Sequence, residues 1–274
     1  MPTTQPVRTL LCTSGGLFGA LVLRRLLRCR ELSVVGVVYS TRILKPNYGF
    51  LRGAWEQQRR SGLAYTLYLG CATALAEWLS DLRSGGSVPR IAAVRGIPLL
   101  QTRDVNAAAG MEFVAAAAPD LLISSFFNQL LAPALLAIPR AAAINIHPSL
   151  LPDGAGVDPV FHAMLRRQPT LGVTIHHLSA QFDRGNVLLQ AAQPHRPGTS
   201  VFRATAQLYA RGAELLADGL AAIVAGDPGT PQPAGGTYDS WPTRGQVRRL
   251  RTGGACLISL WDLAWIETIA AQPP

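Results

Sequence analysis

The sequence predicts an α/β protein with an open, mostly parallel, twisted sheet and helices on both faces. Short apolar runs alternate along the chain with longer segments of helical spacing, which is the pattern of repeated β-α units. The runs have no polar face, as is typical of parallel strands that are covered on both sides. With 274 residues, of which 49% are hydrophobic and 15% charged, the chain can bury a sizeable core. We therefore expect a Rossmann-like fold.

The elements follow in order from the first apolar run. Residues 8–12 predict a strand, residues 17–29 an amphipathic helix and residues 32–39 a valine-rich strand, which together form a β-α-β unit. Further strands are predicted at 97–101, 120–125, 142–147, 172–178 and 187–193. Helices are predicted at 105–117, 130–137, 160–167 and 199–225, with a short helix or turn at 88–95.

Two segments depart from this alternation. Residues 42–90 predict a helical insertion, with helices at 54–60 and 63–82. Residues 227–274 are rich in proline, glycine and threonine and then apolar, which predicts a short C-terminal appendage. We expect one large domain over residues 1–226, including the insertion, followed by that appendage at 227–274.

The insertion has an aromatic, apolar face that includes Tyr65, Leu67 and Trp78, next to Arg59 and Arg60. A helical cap on the domain, or a contact between two copies in a homodimer, is the simpler interpretation. The more specific alternative is an interfacial helix that contacts a membrane or a lipid-linked substrate.

Cysteine spacing and the absence of a targeting signal indicate the compartment. The four cysteines are scattered and form no C-x-x-C pair, which argues against a zinc site or a disulfide framework and fits a reducing compartment. The N-terminus resembles no secretory signal, and the longest weakly charged stretch, residues 63–75, is too short to span a bilayer. We therefore predict a cytoplasmic protein.

The net charge of +9 comes almost wholly from arginine, since Lys45 is the only lysine. A genome composition bias and attraction to an anionic substrate both explain this charge. The arginines occur in small groups without one long basic run, so the sequence does not predict specific nucleic-acid binding.

Residues 144–152, Ile-Asn-Ile-His-Pro-Ser-Leu-Leu-Pro, place a carboxamide and an imidazole close together. Asn145 and His147 alternate and so face the same way on a strand. Asp183 follows after enough chain for a helix and a return strand that brings its carboxylate beside His147. These groups suit a reaction that builds charge on a carbonyl oxygen and moves protons from an amine. Two alternatives give these residues no role in catalysis: His147 is an ordinary loop residue before Pro148, and Asp183 belongs to a simple turn.

All five histidines lie between residues 147 and 195, which suggests a metal site at first sight. Their spacings match no common ligand set, so we predict no metal. His176 and His177 are neighbours on a predicted strand and face opposite ways, so we expect at most one of them at the site.

Ser14, Gly15 and Gly16 follow the first strand and open the first helix. A helix N-terminus of this kind can hold an anion, which makes these residues candidates for substrate binding. A glycine turn that serves packing alone explains them equally well.

The complete pattern is more specific than its parts. The segment N-x-H-x-S-L-L-P is followed by glycines at 154 and 156, by Gly172-Val173-Thr174 and by a D-x-G motif at Asp183. This pattern resembles the folate-dependent formyltransferases, the family that contains glycinamide ribonucleotide transformylase, methionyl-tRNA formyltransferase and sugar N-formyltransferases. The resemblance is strongest over residues 119–193.

The resemblance implies site residues and a formyl donor. It implies that Asn145, His147 and Asp183 are catalytic and that 10-formyltetrahydrofolate is the donor, with no metal. Two segments are implied to line the folate pocket: Phe127, Asn128, Gln129, Leu130 and Leu131, and Leu178, Ser179, Ala180, Gln181 and Phe182.

The acceptor is expected to be a small-molecule amine. The segment after the last long helix is short for a tRNA-holding domain of the kind that methionyl-tRNA formyltransferases carry, and the first glycine loop matches that of the ribonucleotide transformylases only in part. An amino sugar, a nucleotide sugar or a natural-product precursor is therefore expected. A hydrolase that transfers the formyl group to water and a non-catalytic folate-binding protein are the alternatives.

Overall fold

The computed structural model describes residues 5–44, 48–75, 77–78, 81, 86–259, 261–262 and 265. The strands are β1 (Val7–Thr13), β2 (Leu32–Ser40), β3 (Leu99–Thr102), β4 (Leu121–Ser125), β5 (Ala142–His147), β6 (Ala155–Gly156), β7 (Thr170–His177), β8 (Val187–Pro194) and β9 (Tyr238–Asp239). The helices are α1 (Gly16–Arg28), α2 (Phe50–Ser61), α3 (Leu63–Gly70), α4 (Val88–Val94), α5 (Ala108–Ala117), α6 (Pro133–Leu136), α7 (Pro159–Leu165), α8 (Val201–Val224) and α9 (Arg244–Thr252).

Seven strands form one open sheet in the order β3-β2-β1-β4-β5-β7-β8. The first five are parallel, whereas β7 pairs with β5, and β8 with β7, in antiparallel fashion. The predicted fold class is confirmed. Strand β7 thus runs opposite to the other six strands. The short β7–β8 connection permits a hairpin but no crossover helix, which explains why β8 is antiparallel to β7.

The sheet separates two apolar cores. On β1, Leu11 belongs to the larger core with α1 and α8, while Leu10 and Cys12 belong to the smaller core with α5 and α6. On β5, Ile144 belongs to the larger core and Ala143 to the smaller one. Alternate residues of a strand point to opposite faces, so helices cover the sheet on both sides.

The helix predicted at 130–137 is wrong in its length, because only Pro133–Leu136 is helical. Asn106 holds the preceding residues outside the helix: its Nδ2 donates to Leu130 O at 2.9 Å, and its Oδ1 accepts from Ala132 N at 2.7 Å. Pro133 also restricts Ala132 to an extended conformation.

The insertion is helical where it is described, with α2, α3 and a short π-helical turn at Cys71–Leu75. Part of the helix predicted at 63–82 lies outside the described residues. The buried hydroxyl of Tyr65 donates to Asp158 Oδ2 at 2.7 Å, and Ser61 Oγ donates to Pro242 O. These contacts hold one side of the insertion on the domain, whereas Leu51 and Trp55 of α2 are exposed.

The segment after α8 packs against the domain. Its short strand β9 pairs with β6, and α9 begins at a capping box formed by Thr243 and Gln246. Val247 and Leu250 of α9 are buried in the larger core. Part of the apolar stretch that ends the predicted appendage, residues 257–269, lies outside the described residues. Within the described part of the chain, no helix is long and apolar enough to cross a membrane.

Candidate active site

Asn145 and His147 lie at the carboxyl end of the parallel strand β5, where α/β sheets usually bind ligands. Both side chains reach one carboxylate oxygen: Asp183 Oδ1 is 3.4 Å from Asn145 Nδ2 and 3.5 Å from His147 Nδ1. The structure thus brings together the three residues that the sequence analysis predicted to be catalytic.

Asp183 lies in the turn between β7 and β8 with a positive φ of 54°, which is uncommon for a non-glycine residue. Its Oδ2 accepts from Gly156 N at 2.9 Å. Gln232 holds the turn from the other side, since its Nε2 donates to Asp183 O at 2.9 Å and to Gly185 O at 2.8 Å. The unusual backbone conformation of Asp183 is therefore fixed from two directions.

The carboxyl of Asp183 is strongly biased toward its ionised form. Burial alone would raise its pKa, but the charge of His147, the nearby His176 ring and the Gly156 N–H together hold the pKa well below its ordinary range. Asp183 is thus a permanent negative charge beside His147 at neutral pH.

His147 is buried with hydrogen-bond acceptors facing both ring nitrogens. Nε2 lies 2.9 Å from Gly154 O, and because a carbonyl oxygen only accepts, Nε2 carries a proton. Nδ1 faces Asp183 at the longer distance of 3.5 Å. Nδ1 is therefore the less firmly engaged nitrogen of the ring.

His176 is a fourth member of this cluster that the sequence analysis did not place among the site residues. It is opposite Asn145 in the β5–β7 register, and its Nε2 lies 3.2 Å from Asn145 Nδ2 and 3.7 Å from Asp183 Oδ1. Its Nδ1 donates to His177 O at 2.8 Å, which leaves Nε2 of the neutral ring to accept from Asn145. His177 points away, with Nε2 at 2.8 Å from Asp227 O. Cross-strand register is the signal that identifies His176.

The lowered pKa of Asp183 predicts how the stability of the fold depends on pH. Because its folded-state pKa lies below the ordinary value of 3.8, the ionised carboxylate stabilises the fold fully above that pH, and the contribution is lost as pH falls. We expect Asp183→Asn to be less stable than wild type at pH 7 by about 1.5–3 kcal/mol, the range for hydrogen bonds to a charged group. The gap should narrow at pH 3 in urea unfolding. An equal gap at both pH values would contradict this charge assignment.

The segment after α8 contributes directly to the site. β9 pairs with β6, whose Gly156 donates to Asp183, and Gly154 N donates to Thr237 Oγ1 at 2.8 Å. Together with Gln232, these contacts make residues 232–239 a support for the Asn145–His147–Asp183 cluster. This role is not predictable from the sequence, because it depends on long-range backbone pairing.

A substitution at Gly156 tests whether residues 232–239 support the site. Its φ is +104°, and a Cβ there would overlap the carbonyl oxygen of Asp239. We expect Gly156→Ala to lower the free energy of unfolding by about 2–4 kcal/mol, which combines backbone strain with overpacking. Gly235→Ala is a matched control, because Gly235 has a φ of +97° and no heavy atom within 4 Å of the added carbon. Urea unfolding that gave equal losses for the two variants would contradict the close β6–β9 packing.

The two segments predicted to line a folate pocket pack on the same apolar core. Phe127 and Leu178 are both partly buried against the smaller core. Phe182, next to Asp183, is 48% exposed. The side chain of Leu131 is buried in the same core, so it cannot line an open surface. The remaining residues of the two segments, Asn128, Leu130, Ser179, Ala180 and Gln181, are half-buried or exposed.

Gln129 is buried and serves the fold. Its Oε1 accepts from Val105 N at 2.9 Å, and its Nε2 donates to Ser40 Oγ at 2.7 Å. A side-chain contact from Gln129 to a ligand would require breaking these bonds, which leaves the backbone as its means of contact.

Ser14, Gly15 and Gly16 lie at the same edge of the sheet as Asn145. Ser14 N donates to Phe126 O at 2.7 Å, and Ser14 Oγ accepts from Asn128 N at 3.2 Å. The predicted substrate segment and one predicted folate segment are therefore in contact. Gly16 N donates to Glu77 Oε1 at 2.7 Å, so a carboxylate of the insertion occupies this helix N-terminus.

A comparison with known families matches residues 83–220, half of the chain, to the model described as formyl transferase. Among curated proteins, methionyl-tRNA formyltransferase of Geobacillus thermodenitrificans is 36% identical over 132 residues, 48% of this chain and 41% of that protein. The corresponding enzyme of Limosilactobacillus fermentum is 35% identical over 140 residues, 51% of this chain and 44% of that protein. The match thus spans less than half the length of these relatives.

Solved structures share the fold over most of the chain. Glycinamide ribonucleotide transformylase 1 from Symbiobacterium toebii superposes with a TM-score of 0.57 at 19% identity, covering 84% of this chain and 95% of that one. A sugar N-formyltransferase from Shewanella sp FDAARGOS_354 gives 0.54 at 15% identity, with 85% and 76% covered. At these identities the likeness concerns the fold alone.

Proposed function

Because the chain belongs to the formyl transferase family, we propose that it transfers a formyl group from 10-formyltetrahydrofolate to a primary amine of a small molecule. One observation carries the proposal: Asn145, His147 and Asp183 meet at the carboxyl edge of the sheet, with Asp183 held ionised against the imidazole. A carboxamide donor, an imidazole and a fixed carboxylate are the groups that acyl transfer to an amine requires.

The two loops beside this cluster fit the donor. Phe127 and Leu178 present partly buried apolar surface, and Phe182 adds an exposed aromatic ring next to Asp183. A flat heteroaromatic ring system matches such a surface, with the backbone of both loops supplying polar contacts. When bound, the donor supplies the formyl carbonyl on which the amine acts.

Asn145 and His147 stabilise the charge that develops on the carbonyl oxygen. The Nδ2 group of Asn145 carries two protons, of which one is accepted by His176 Nε2, and its contact to Asp183 is long at 3.4 Å. The second proton can therefore turn to an oxyanion without loss of a strong bond. His147 Nε2–H is committed to Gly154 O, so Nδ1 is the atom that exchanges a proton with the reacting groups.

Asp183 keeps a negative charge 3.5 Å from His147 Nδ1, where it stabilises positive charge that develops on the ring during the reaction. His176 orients Asn145 through its Nε2 while its own Nδ1 is fixed by His177 O. These residues act on the geometry and charge of Asn145 and His147, and no covalent intermediate is required.

The acceptor that we propose is an amino sugar, a nucleotide sugar or a natural-product precursor. Two contacts support a small acceptor: Glu77 of the insertion reaches the N-terminus of α1 at the same edge of the sheet, and Gln232 holds the backbone of Asp183. Methionyl-tRNA is the second candidate, since the curated relatives are methionyl-tRNA formyltransferases. A hydrolase that releases formate is the third.

The test is tetrahydrofolate release from 10-formyltetrahydrofolate without acceptor and with amino sugars, nucleotide-linked amino sugars, glycinamide ribonucleotide and methionyl-tRNA. Release that depends on a small-molecule amine supports the proposal. Release only with methionyl-tRNA supports the second candidate, and release without any amine supports the hydrolase. No folate binding and no turnover under any condition would refute formyl transfer.

A further inference from the structure

The N-terminus of α1 is capped by a residue of the insertion. The helix has no acidic residue in its first turn and no side-chain cap of its own. Instead, Glu77 Oε1 accepts from Gly16 N at 2.7 Å, and the hydroxyl of Tyr39 lies 3.0 Å from both carboxylate oxygens of Glu77. The negative charge that a helix N-terminus attracts is thus supplied by the chain itself.

The surrounding backbone is shaped to receive this carboxylate. Gly15 has a φ of +73°, and a Cβ on it would lie 2.6 Å from Glu77 Oε1 and would also overlap the ring of Tyr39. Only glycine lets the carboxylate and the phenol approach the backbone this closely. Glu77 therefore occupies a specific position and is not a surface carboxylate that happens to lie nearby.

This position belongs to the same edge of the sheet as the proposed active site. β1, which leads into Gly15, is separated from β5 by the single strand β4. With about 4.8 Å between neighbouring strands, the two strand ends are about 10 Å apart. That is the length of a sugar with one substituent. An acceptor whose amine reaches Asn145 and His147 can extend to Glu77.

We propose that Glu77 determines acceptor selectivity: it fills the N-terminus of α1 and excludes amines that carry a phosphate at this position, in favour of acceptors with an uncharged or cationic group there. The proposal rests on the proposed function, because it concerns the acceptor of that reaction. Its physical cause is twofold. The Gly16 N–H is already bonded, and a second anion in contact with the carboxylate would be repelled at low effective dielectric.

The first experiment measures anion binding without turnover. The thermal midpoint of the full chain is followed against inorganic phosphate, at constant ionic strength, for wild type, Glu77→Gln, Glu77→Ala and Glu112→Ala. Glu112 is an exposed acidic residue of α5, so its variant has the same charge change as Glu77→Ala. We expect phosphate to bind Glu77→Ala at least about tenfold more tightly than wild type, because one like charge in contact range has been removed. Glu112→Ala should behave like wild type.

The second experiment uses a matched pair of acceptors, an amino sugar and the same amino sugar carrying a phosphate. Wild type should prefer the uncharged acceptor, and Glu77→Ala should shift the ratio of kcat/KM toward the phosphorylated one by about tenfold or more. Glu77→Gln keeps hydrogen-bonding atoms but loses the charge, so a shift in this variant shows that charge is the cause.

Two results would overturn the role of Glu77. One is a phosphate affinity of wild type equal to that of Glu77→Ala. The other is a loss of thermal stability in Glu77→Ala with no gain in phosphate binding, as expected of a purely structural cap. Absence of formyl transfer in every variant would refute the proposed function instead, and the binding experiment separates these outcomes.

Discussion

His147→Ala is expected to lower kcat/KM for formyl transfer about a thousandfold, within the range of about 10²–10⁴ that a positioned proton-transfer group contributes. His147 is buried, its Nε2–H is committed to Gly154 O, and its Nδ1 lies beside the ionised Asp183. Removing the imidazole takes away a proton donor and leaves a buried carboxylate without its neighbouring charge. The measurement is steady-state turnover with the acceptor that the amine panel identifies.

His195→Ala is the control for loss of an imidazole, because His195 lies outside the cluster, at the end of β8. It should retain activity within a few-fold of wild type. His147→Asn, which keeps a polar side chain, separates loss of function from a fold weakened by a cavity. A His147→Ala enzyme that folds and turns over within tenfold of wild type would refute the assigned role.

Asn145→Ala is expected to lower kcat about 10²–10³-fold, the usual cost of losing one oxyanion donor. The effect should fall on kcat more than on KM, because the bond to the oxygen strengthens as charge develops in the transition state. Asn145 Nδ2 is held by His176 Nε2 at 3.2 Å, so the donor is oriented before the substrate binds.

Asn186→Ala provides the comparison for Asn145. Its Nδ2 donates to Pro228 O at 2.9 Å, so this variant loses one amide-to-carbonyl bond outside the cluster. We expect near wild-type kcat. If Asn145→Ala instead raised KM with kcat unchanged, Asn145 would bind the ground state and the oxyanion role would be wrong.

The fold and the Asn145–His147–Asp183 cluster follow from local patterns in the sequence. Continuous apolar runs and helical spacing predict the β-α units, and the alternation of side chains along a strand predicts that Asn145 and His147 share a face. The return of Asp183 follows from the length of chain between them. The predicted length of α6 was too great, because Asn106 in a distant loop bonds to Leu130 and Ala132 and keeps them outside the helix.

The supports of the site were not predictable in this way. Gln232 reaches the Asp183 backbone from 49 residues away, and Glu77 reaches Gly16 from 61 residues away. Both contacts are to backbone groups, which leave no periodic or compositional signal. His176 was predictable in part. The sequence shows that His176 and His177 face opposite ways, but only the β5–β7 register shows that His176 lies opposite Asn145.

The most direct measurement follows the formyl carbon itself. 10-Formyltetrahydrofolate with a ¹³C-labelled formyl group is incubated with the preferred amine and with wild-type enzyme or His147→Ala, and the product is read by NMR. The predicted result is label in the N-formyl group of the amine with wild type, and labelling about a thousandfold slower with His147→Ala. Label recovered only as formate, or equal N-formylation by the variant, would contradict formyl transfer at the Asn145–His147–Asp183 cluster.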